Sequence, residues 1–251
     1  MKFIHLSDLH FHRKTKDNAG AVKVLKYVKE TYPEHNLIVT GDIVDDGHEK
    51  QYKNAQKALK PFLGRVFISP GNHDFGALGN LYSRERAERF DEFLSAPLQQ
   101  GGAFSGDGTP VVNVVKSDTD KVMLIALDTN LETSSAFDFA CGAVGEEQMA
   151  ALDTILRESA SLGMTKILFF HHHPFVHNDP FMELQDALEL MRTIYNRVDV
   201  VLFGHKHISG KLENVNGIRY VLASDNSPGK NFARELTVEN GITSVDDIRI
   251  I

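Results

Sequence analysis

The chain alternates short, unbroken apolar runs with amphipathic stretches of helical length, and that alternation admits few folds. Apolar runs at 2–6, 37–40, 66–69, 111–115, 122–127, 166–170 and 198–203 read as strands. Runs without polar interruption suit strands covered on both faces. Between them, 19–31, 49–63, 84–95, 146–161 and 181–196 read as helices. In the fourth of these, Met149, Leu152, Ile155, Leu156 and Ala160 recur near a 3.6-residue period. After Gly204 the pattern becomes two hairpins. The first pairs 211–215 with 219–223 about Asn216-Gly217, and the second pairs 233–238 with 242–250 about Asn240-Gly241. The expectation is an α/β fold with mixed sheets. No linker, repeat or composition break divides the chain, so 1–251 is expected to form one domain.

The polar residues that follow the strands carry the chemistry. Asp8-Leu9-His10 follows the first strand, Gly41-Asp42-Ile43-Val44-Asp45 the second, and Gly71-Asn72-His73-Asp74 the third. His171-His172-His173-Pro174 and Gly204-His205-Lys206-His207 follow two later strands. Each group alone is ordinary turn or capping chemistry. Five such groups at five strand ends are not, because the carboxyl ends of strands in an open α/β sheet are where ligands bind. Imidazole, carboxylate and amide together suit a borderline or hard divalent metal, whereas a structural zinc site would usually recruit Cys. Cys141 is the only cysteine, so neither an intrachain disulfide nor a thiolate cage can form.

Charge and hydropathy narrow the partners. Against 27 Lys and Arg stand 34 Asp and Glu, a net charge of -7, which argues against an extended nucleic-acid surface. A small phosphorylated substrate stays compatible, because bound cations reverse the local sign. The longest apolar run, 122–127, is too short to span a bilayer, and no signal-peptide core precedes Ser7 and Asp8. The expected setting is cytoplasmic, without membrane association.

In this order, the motifs resemble those of the calcineurin-like metallophosphoesterase superfamily: D-x-H, G-D-x-x-D/N, G-N-H-D/E, H and G-H-x-H. The resemblance runs from Asp8 to His207. It implies a four-layered α/β/β/α sandwich with two mixed β-sheets and two divalent ions, Mn, Fe, Zn or a mixed pair. It also implies that Asp8, His10 and His207 hold one ion, that Asn72, His172 and His205 hold the other, and that Asp42 bridges. Aligning the histidine run on Pro174 selects His172, which leaves His171 and His173 as packing or pocket residues. His73 is the expected catalytic residue without a metal bond, and Asp45 the carboxylate that orients it.

The implied reaction is hydrolysis of a phosphate ester by an activated water, with His73 stabilising charge or protonating the leaving oxygen. Asp46 stands where the protein phosphatases of this superfamily place an arginine for a phosphomonoester. The motif style resembles the branch of cyclic-nucleotide and glycerophosphodiester phosphodiesterases, with the outer group of a diester expected against a rim at 75–82 and 175–181. A nuclease or phosphomonoesterase on the same fold is the rival enzyme. A metal-binding scaffold without catalysis is the rival of another class.

Overall fold

The computed structural model describes residues 1–250 except 80, 107, 133–135, 177, 178, 180, 228 and 229. Strands β1 (Lys2–Leu6), β2 (Asn36–Thr40) and β3 (Val66–Ser69) run parallel in one sheet. β12 (Phe232–Glu239) and β13 (Ile242–Arg249) complete it antiparallel, in the order β13-β12-β1-β2-β3. The second sheet has the order β10-β11-β9-β8-β7-β6. There β7 (Lys121–Ala126), β8 (Thr165–Phe169), β9 (Val200–Phe203) and β11 (Ile218–Ala223) are parallel. The outer strands β6 (Val111–Lys116) and β10 (Gly210–Val215) pair antiparallel at its edges. Both sheets are therefore mixed.

Strand periodicity divides the core. In the second sheet Val122, Leu124, Ile167, Phe169, Val200 and Leu202 belong to the core shared with the first sheet. Their neighbours Met123, Ile125, Leu168, Val201 and Phe203 pack in a separate cluster. That cluster includes Leu152 and Leu156 of α5 (Glu146–Glu158) and Leu190 of α6 (Ala187–Thr193). On the first sheet, α1 (Ala19–Thr31) buries Val24, Leu25 and Val28, and α2 (Glu49–Leu59) buries Tyr52, Ala55 and Leu59. The result is the four-layered α/β/β/α sandwich. Alternate side chains of a strand point to opposite faces, so each strand of the second sheet serves two layers at once.

Both expected hairpins are present, with Asn216 at φ 56°, Gly217 at 70°, Asn240 at 51° and Gly241 at 72°, the left-handed pair that a tight two-residue turn requires. Two helices depart most from their sequence pattern. The expected helix 84–95 ends as α4 (Arg84–Phe90) and continues as a π-turn over Asp91–Ser95. The expected helix 181–196 is helical only in α6. Its first residues are drawn into pairing with the 142 loop through Gly142 N–H to Glu183 O and Gln185 N–H to Gly142 O. A short helix α3 (Asn72–Phe75) and a small hairpin of β4 (Gly76–Ala77) and β5 (Leu81–Tyr82) carry no periodic signal. Among the described residues, no helix is long and apolar enough to cross a membrane.

Candidate metal centre

Because β1, β2 and β3 run parallel, their carboxyl-end loops emerge side by side. Asp8 N–H donates to Gly41 O at 3.1 Å, His10 N–H to Asp42 O at 2.9 Å, and Phe11 N–H to Ile43 O at 2.9 Å. Asp74 ties in the third loop. Its carboxylate accepts from Val44 N–H at 2.8 Å, Gly71 N–H at 2.8 Å and Ile43 N–H at 3.2 Å. Several polar residues on these loops and on the loop after β9 adopt a left-handed backbone: Asp8 (φ 55°), His10 (45°), Asp42 (48°), His205 (76°) and His207 (51°). For residues with a Cβ this conformation costs energy, and it concentrates at functional sites.

Asp42 lies at the centre. Its Oδ1 accepts from His73 N–H at 2.9 Å, which leaves Oδ2 facing two groups of side chains. On one side His10 Nε2 is 3.8 Å away, His207 Nε2 sits 3.2 Å from His10 Nε2, and Asp8 Oδ1 sits 3.4 Å from His207 Nε2. Asp8, His10, Asp42 and His207 each bring a ligand atom within 4.8 Å of the others. On the other side His171 Nε2 is 3.2 Å from Asp42 Oδ2 and 3.2 Å from His205 Nδ1. His205 Nδ1 is also 3.1 Å from Asn72 Oδ1. The Asn72 amide is oriented by its Nδ2, which donates to Gly79 O at 2.7 Å.

The histidine run is used differently from the expectation. His171 Nε2 is the ring nitrogen beside Asp42 Oδ2, while the His172 ring lies 4.5 Å from that of His205. β8 explains why. Ile167 and Phe169 point into the core between the sheets, and Leu168 and Phe170 toward the helices. Backbone pairing continues past the strand, with Phe170 N–H to Leu202 O and Gly204 N–H to His171 O. The same parity turns His171 toward the other sheet and Asp42 and sets His172 on the opposite side of the chain, beside Thr129. His172 is buried against the His171 and His205 rings, its Nδ1 2.8 Å from Thr129 Oγ1 and its Nε2 without a hydrogen-bond partner. A Cβ on Gly142 would lie 2.5 Å from that ring. His173 packs its ring against Phe203, with centroids 4.6 Å apart.

Asp45, expected to orient His73 through its carboxylate, makes its hydrogen bond to that ring through the main chain. The acceptor for His73 Nδ1 is the main-chain carbonyl of Asp45, at 2.9 Å. The Asp45 carboxylate turns instead toward His12 Nδ1, at 3.1 Å. Gly79 lies over the other ring nitrogen of His73, where a Cβ would come within 2.6 Å of Nε2. Burial works against a charged His73, yet Asp42 and the Asp45 carbonyl and carboxylate outweigh it and raise its affinity for a proton.

The donors fit divalent cations. Asp8 Oδ2 is buried with no hydrogen-bond partner, a costly state for a carboxylate oxygen without a cation. Burial holds His205 well below the usual imidazole range and so keeps it a neutral donor. Burial pushes His171 down as well, but Asp42 beside it reverses the sign and carries it up to about 9. A proton there stands where a cation would otherwise compensate Asp42.

The expected rim is partly described; residues 80, 177, 178 and 180 lie outside the described set. Phe75, Gly79 and Tyr82 line a cleft beside Asn72 together with Asn130, Phe139 and Cys141. Phe139 and Phe181 pack edge to face with centroids 4.4 Å apart. The loop after β7, which holds Thr129 and Asn130, escaped the sequence reading because its Asp128-Thr129-Asn130 looks like an ordinary turn. A polar group at yet another strand end was the available signal.

A sequence model of the family described as calcineurin-like phosphoesterase matches residues 1–209. The chain belongs to that family. Family membership makes it a metal-dependent phosphoester hydrolase. A probable cyclic nucleotide phosphodiesterase of Coxiella burnetii is 26% identical over 221 residues, 82% of this chain and 76% of the relative. A probable glycerophosphodiester phosphodiesterase of Arcobacter nitrofigilis is 25% identical over 253 residues, 94% and 81% of the two chains. In structure, a dimetal phosphatase from Danio rerio superposes with a TM-score of 0.70 at 15% identity, covering 100% of this chain and 98% of that one. That likeness speaks to the fold. The calcineurin-like fold implies divalent metal ions, and the cluster around Asp42 is the candidate site.

Proposed function

We propose that this member of the family hydrolyses small phosphodiesters at a two-ion centre. Asp8, His10 and His207 hold one ion, Asn72, His171 and His205 the other, and Asp42 spans both. The observation that carries the reading is the position of Asp42 Oδ2, between His10 Nε2 and His171 Nε2. Imidazole, carboxylate and amide donors in this mixture suit Mn, Fe or Zn. The whole chain, 1–251, acts as one catalytic domain in this reading.

Bound there, divalent ions supply an acidified water and charge neutralisation for the phosphate oxygens. The chain's own residues do the rest. The His73 main-chain N–H fixes Asp42 through Oδ1, and Asp45 O fixes the His73 ring through Nδ1. A proton on His73 Nε2 is then available to the departing alkoxide, a contribution typically worth about 10²- to 10⁴-fold. Burial of Asp8, Asp42 and His171 lowers the local dielectric and strengthens each electrostatic contact there.

A preference for diesters follows from where the nearby guanidinium groups go. A monoester carries nearly two charges and is usually gripped by a free arginine. Arg13 is paired with Asp46. Arg86 lies 3.5 Å from the same carboxylate and donates to Asp46 O at 3.0 Å. With both engaged, a singly charged phosphodiester is the better match, as the names of the two relatives suggest. The test compares kcat/KM for bis-p-nitrophenyl phosphate and p-nitrophenyl phosphate at one metal and pH. The diester should win by at least tenfold. A tenfold advantage for the monoester would make the chain a phosphomonoesterase.

A further inference from the structure

We propose that the groove between α1 and α2 is a binding site for an anionic amphiphile, an unbranched acyl chain that ends in a carboxylate. Each helix turns successive residues of one face to the groove. These are Val22, Lys26 and Lys29 on α1, and Lys57, Ala58 and Pro61 on α2 and the turn that continues it. Phe11, Leu25 and Phe62 close the floor. None of these residues belongs to the metal centre.

The walls are apolar and the rim is cationic. Val22 is left 45% exposed, and Ala58 leaves open a space that a larger side chain would fill. The methylene stems of the lysines add apolar wall while their ammonium groups stay in water. Together α1 and α2 carry six lysines and two glutamates, on a chain whose net charge is -7. Glu30 is the one carboxylate among the described lining residues, and it lies 3.9 Å from Lys26. Among the described residues, Lys29 and Lys57 are not ion-paired. Apolar walls beside two unpaired cations match a ligand with a hydrocarbon chain and one negative end.

Size separates this ligand from larger partners. The wall from Val22 to Lys29 is two helical turns, about 10 Å. The groove holds about 530 Å³, within the range of roughly 300–1,000 Å³ for small-molecule clefts. A partner helix laid along two turns would fall well short of the roughly 800 Å² per partner that a stable protein interface buries. A bilayer contact needs protruding apolar side chains, whereas Phe11, Leu25 and Phe62 are 1%, 3% and 0% exposed at the floor.

Isothermal titration with dodecanoate below its micelle threshold tests the site, on manganese-loaded protein from which free manganese has been removed. Acetate and hexanoate are titrated beside it, since a carboxylate held only by the metal centre gains nothing from its chain. Dodecanoate should bind one to one, and affinity should rise with chain length by up to about fourfold for each methylene buried. Dodecyltrimethylammonium, with the same chain and the opposite charge, should bind at least roughly tenfold more weakly. Ala58→Phe should abolish binding by filling the groove, and Lys29→Glu combined with Lys57→Glu should weaken it by roughly tenfold or more. Val22→Asp places a carboxylate in the exposed part of the wall and gives the same reading should Ala58→Phe fail to fold. Turnover of bis-p-nitrophenyl phosphate should stay at the wild-type level in each folded variant. Dodecanoate affinity that survives Ala58→Phe or Val22→Asp, or that the cationic amphiphile equals, would overturn the proposal. So would the absence of saturable dodecanoate binding, including the case in which phosphatidylglycerol vesicles capture the protein, which would make this face a membrane contact.

Discussion

The Nε2 atoms of His10 and His207 face each other across 3.2 Å, and Asp8 Oδ1 lies 3.4 Å from the second of them. Two ring nitrogens and a carboxylate oxygen at these separations need a hydrogen or a metal ion among them. A cation that binds the folded chain and not the unfolded one stabilises it by mass action, by about 2.7 kcal/mol at 100 times Kd. For a chain of this size that is roughly 5–10 °C in Tm. Stripping the protein with a chelator should lower Tm by about this amount, and manganese should restore it. Identical melting with and without metal would contradict a bound cation here.

The adjacent histidines offer a sharper test. His171→Ala removes the imidazole 3.2 Å from Asp42 Oδ2, so it should deplete one metal per chain and abolish most activity. His172→Ala removes a buried ring whose Nδ1 lies 2.8 Å from Thr129 Oγ1. It should lower Tm through the cavity it leaves, about 2–5 kcal/mol for a large buried side chain, while the protein at low temperature keeps its metals. Metal analysis by mass spectrometry on both variants decides the matter. Loss of metal in His172→Ala alone would reverse the assignment.

That pair also marks where sequence reasoning ran short. The strands, the two Asn-Gly hairpins and the polar groups at strand ends were legible because each depends on local pattern: apolar runs, turn chemistry, motif spacing. The choice between His171 and His172 depends on parity along β8, counted from Ile167 and Phe169 facing the other sheet, and Pro174 gives no information about that. Asp45 shows a related limit. Spacing puts it near His73, but only the fold shows that its carbonyl makes that contact and its carboxylate faces His12. The shortening of the 181–196 helix came from pairing with the 142 loop, a long-range contact invisible to periodicity.

Gly204 is a packing requirement of the same centre. A Cβ built there would lie 1.8 Å from Ser7 Oγ and 2.5 Å from Asp8 Oδ2. Ser7 cannot readily yield, since its Oγ donates to Thr40 O at 2.8 Å. Gly204→Ala should therefore cost about 1–3 kcal/mol or more through overpacking, and it should weaken metal binding by displacing Asp8. Gly210→Ala is the control, because its added Cβ would meet Ala223 Cβ at an ordinary 3.8 Å. Calorimetry should show a clear fall in Tm for the first and little change for the second. Equal behaviour would remove the steric account of Gly204.

The central claim is that two ions share Asp42, and electron paramagnetic resonance of the manganese-loaded protein tests it most directly. Ions bridged by one carboxylate at roughly 3.5–4 Å are exchange-coupled, so the wild type at two manganese per chain should give a broad coupled spectrum. Asp42→Asn should lose that coupling together with activity while its circular dichroism stays that of the folded chain. A saturated wild-type protein showing only the six-line signal of isolated manganese would contradict the two-ion centre.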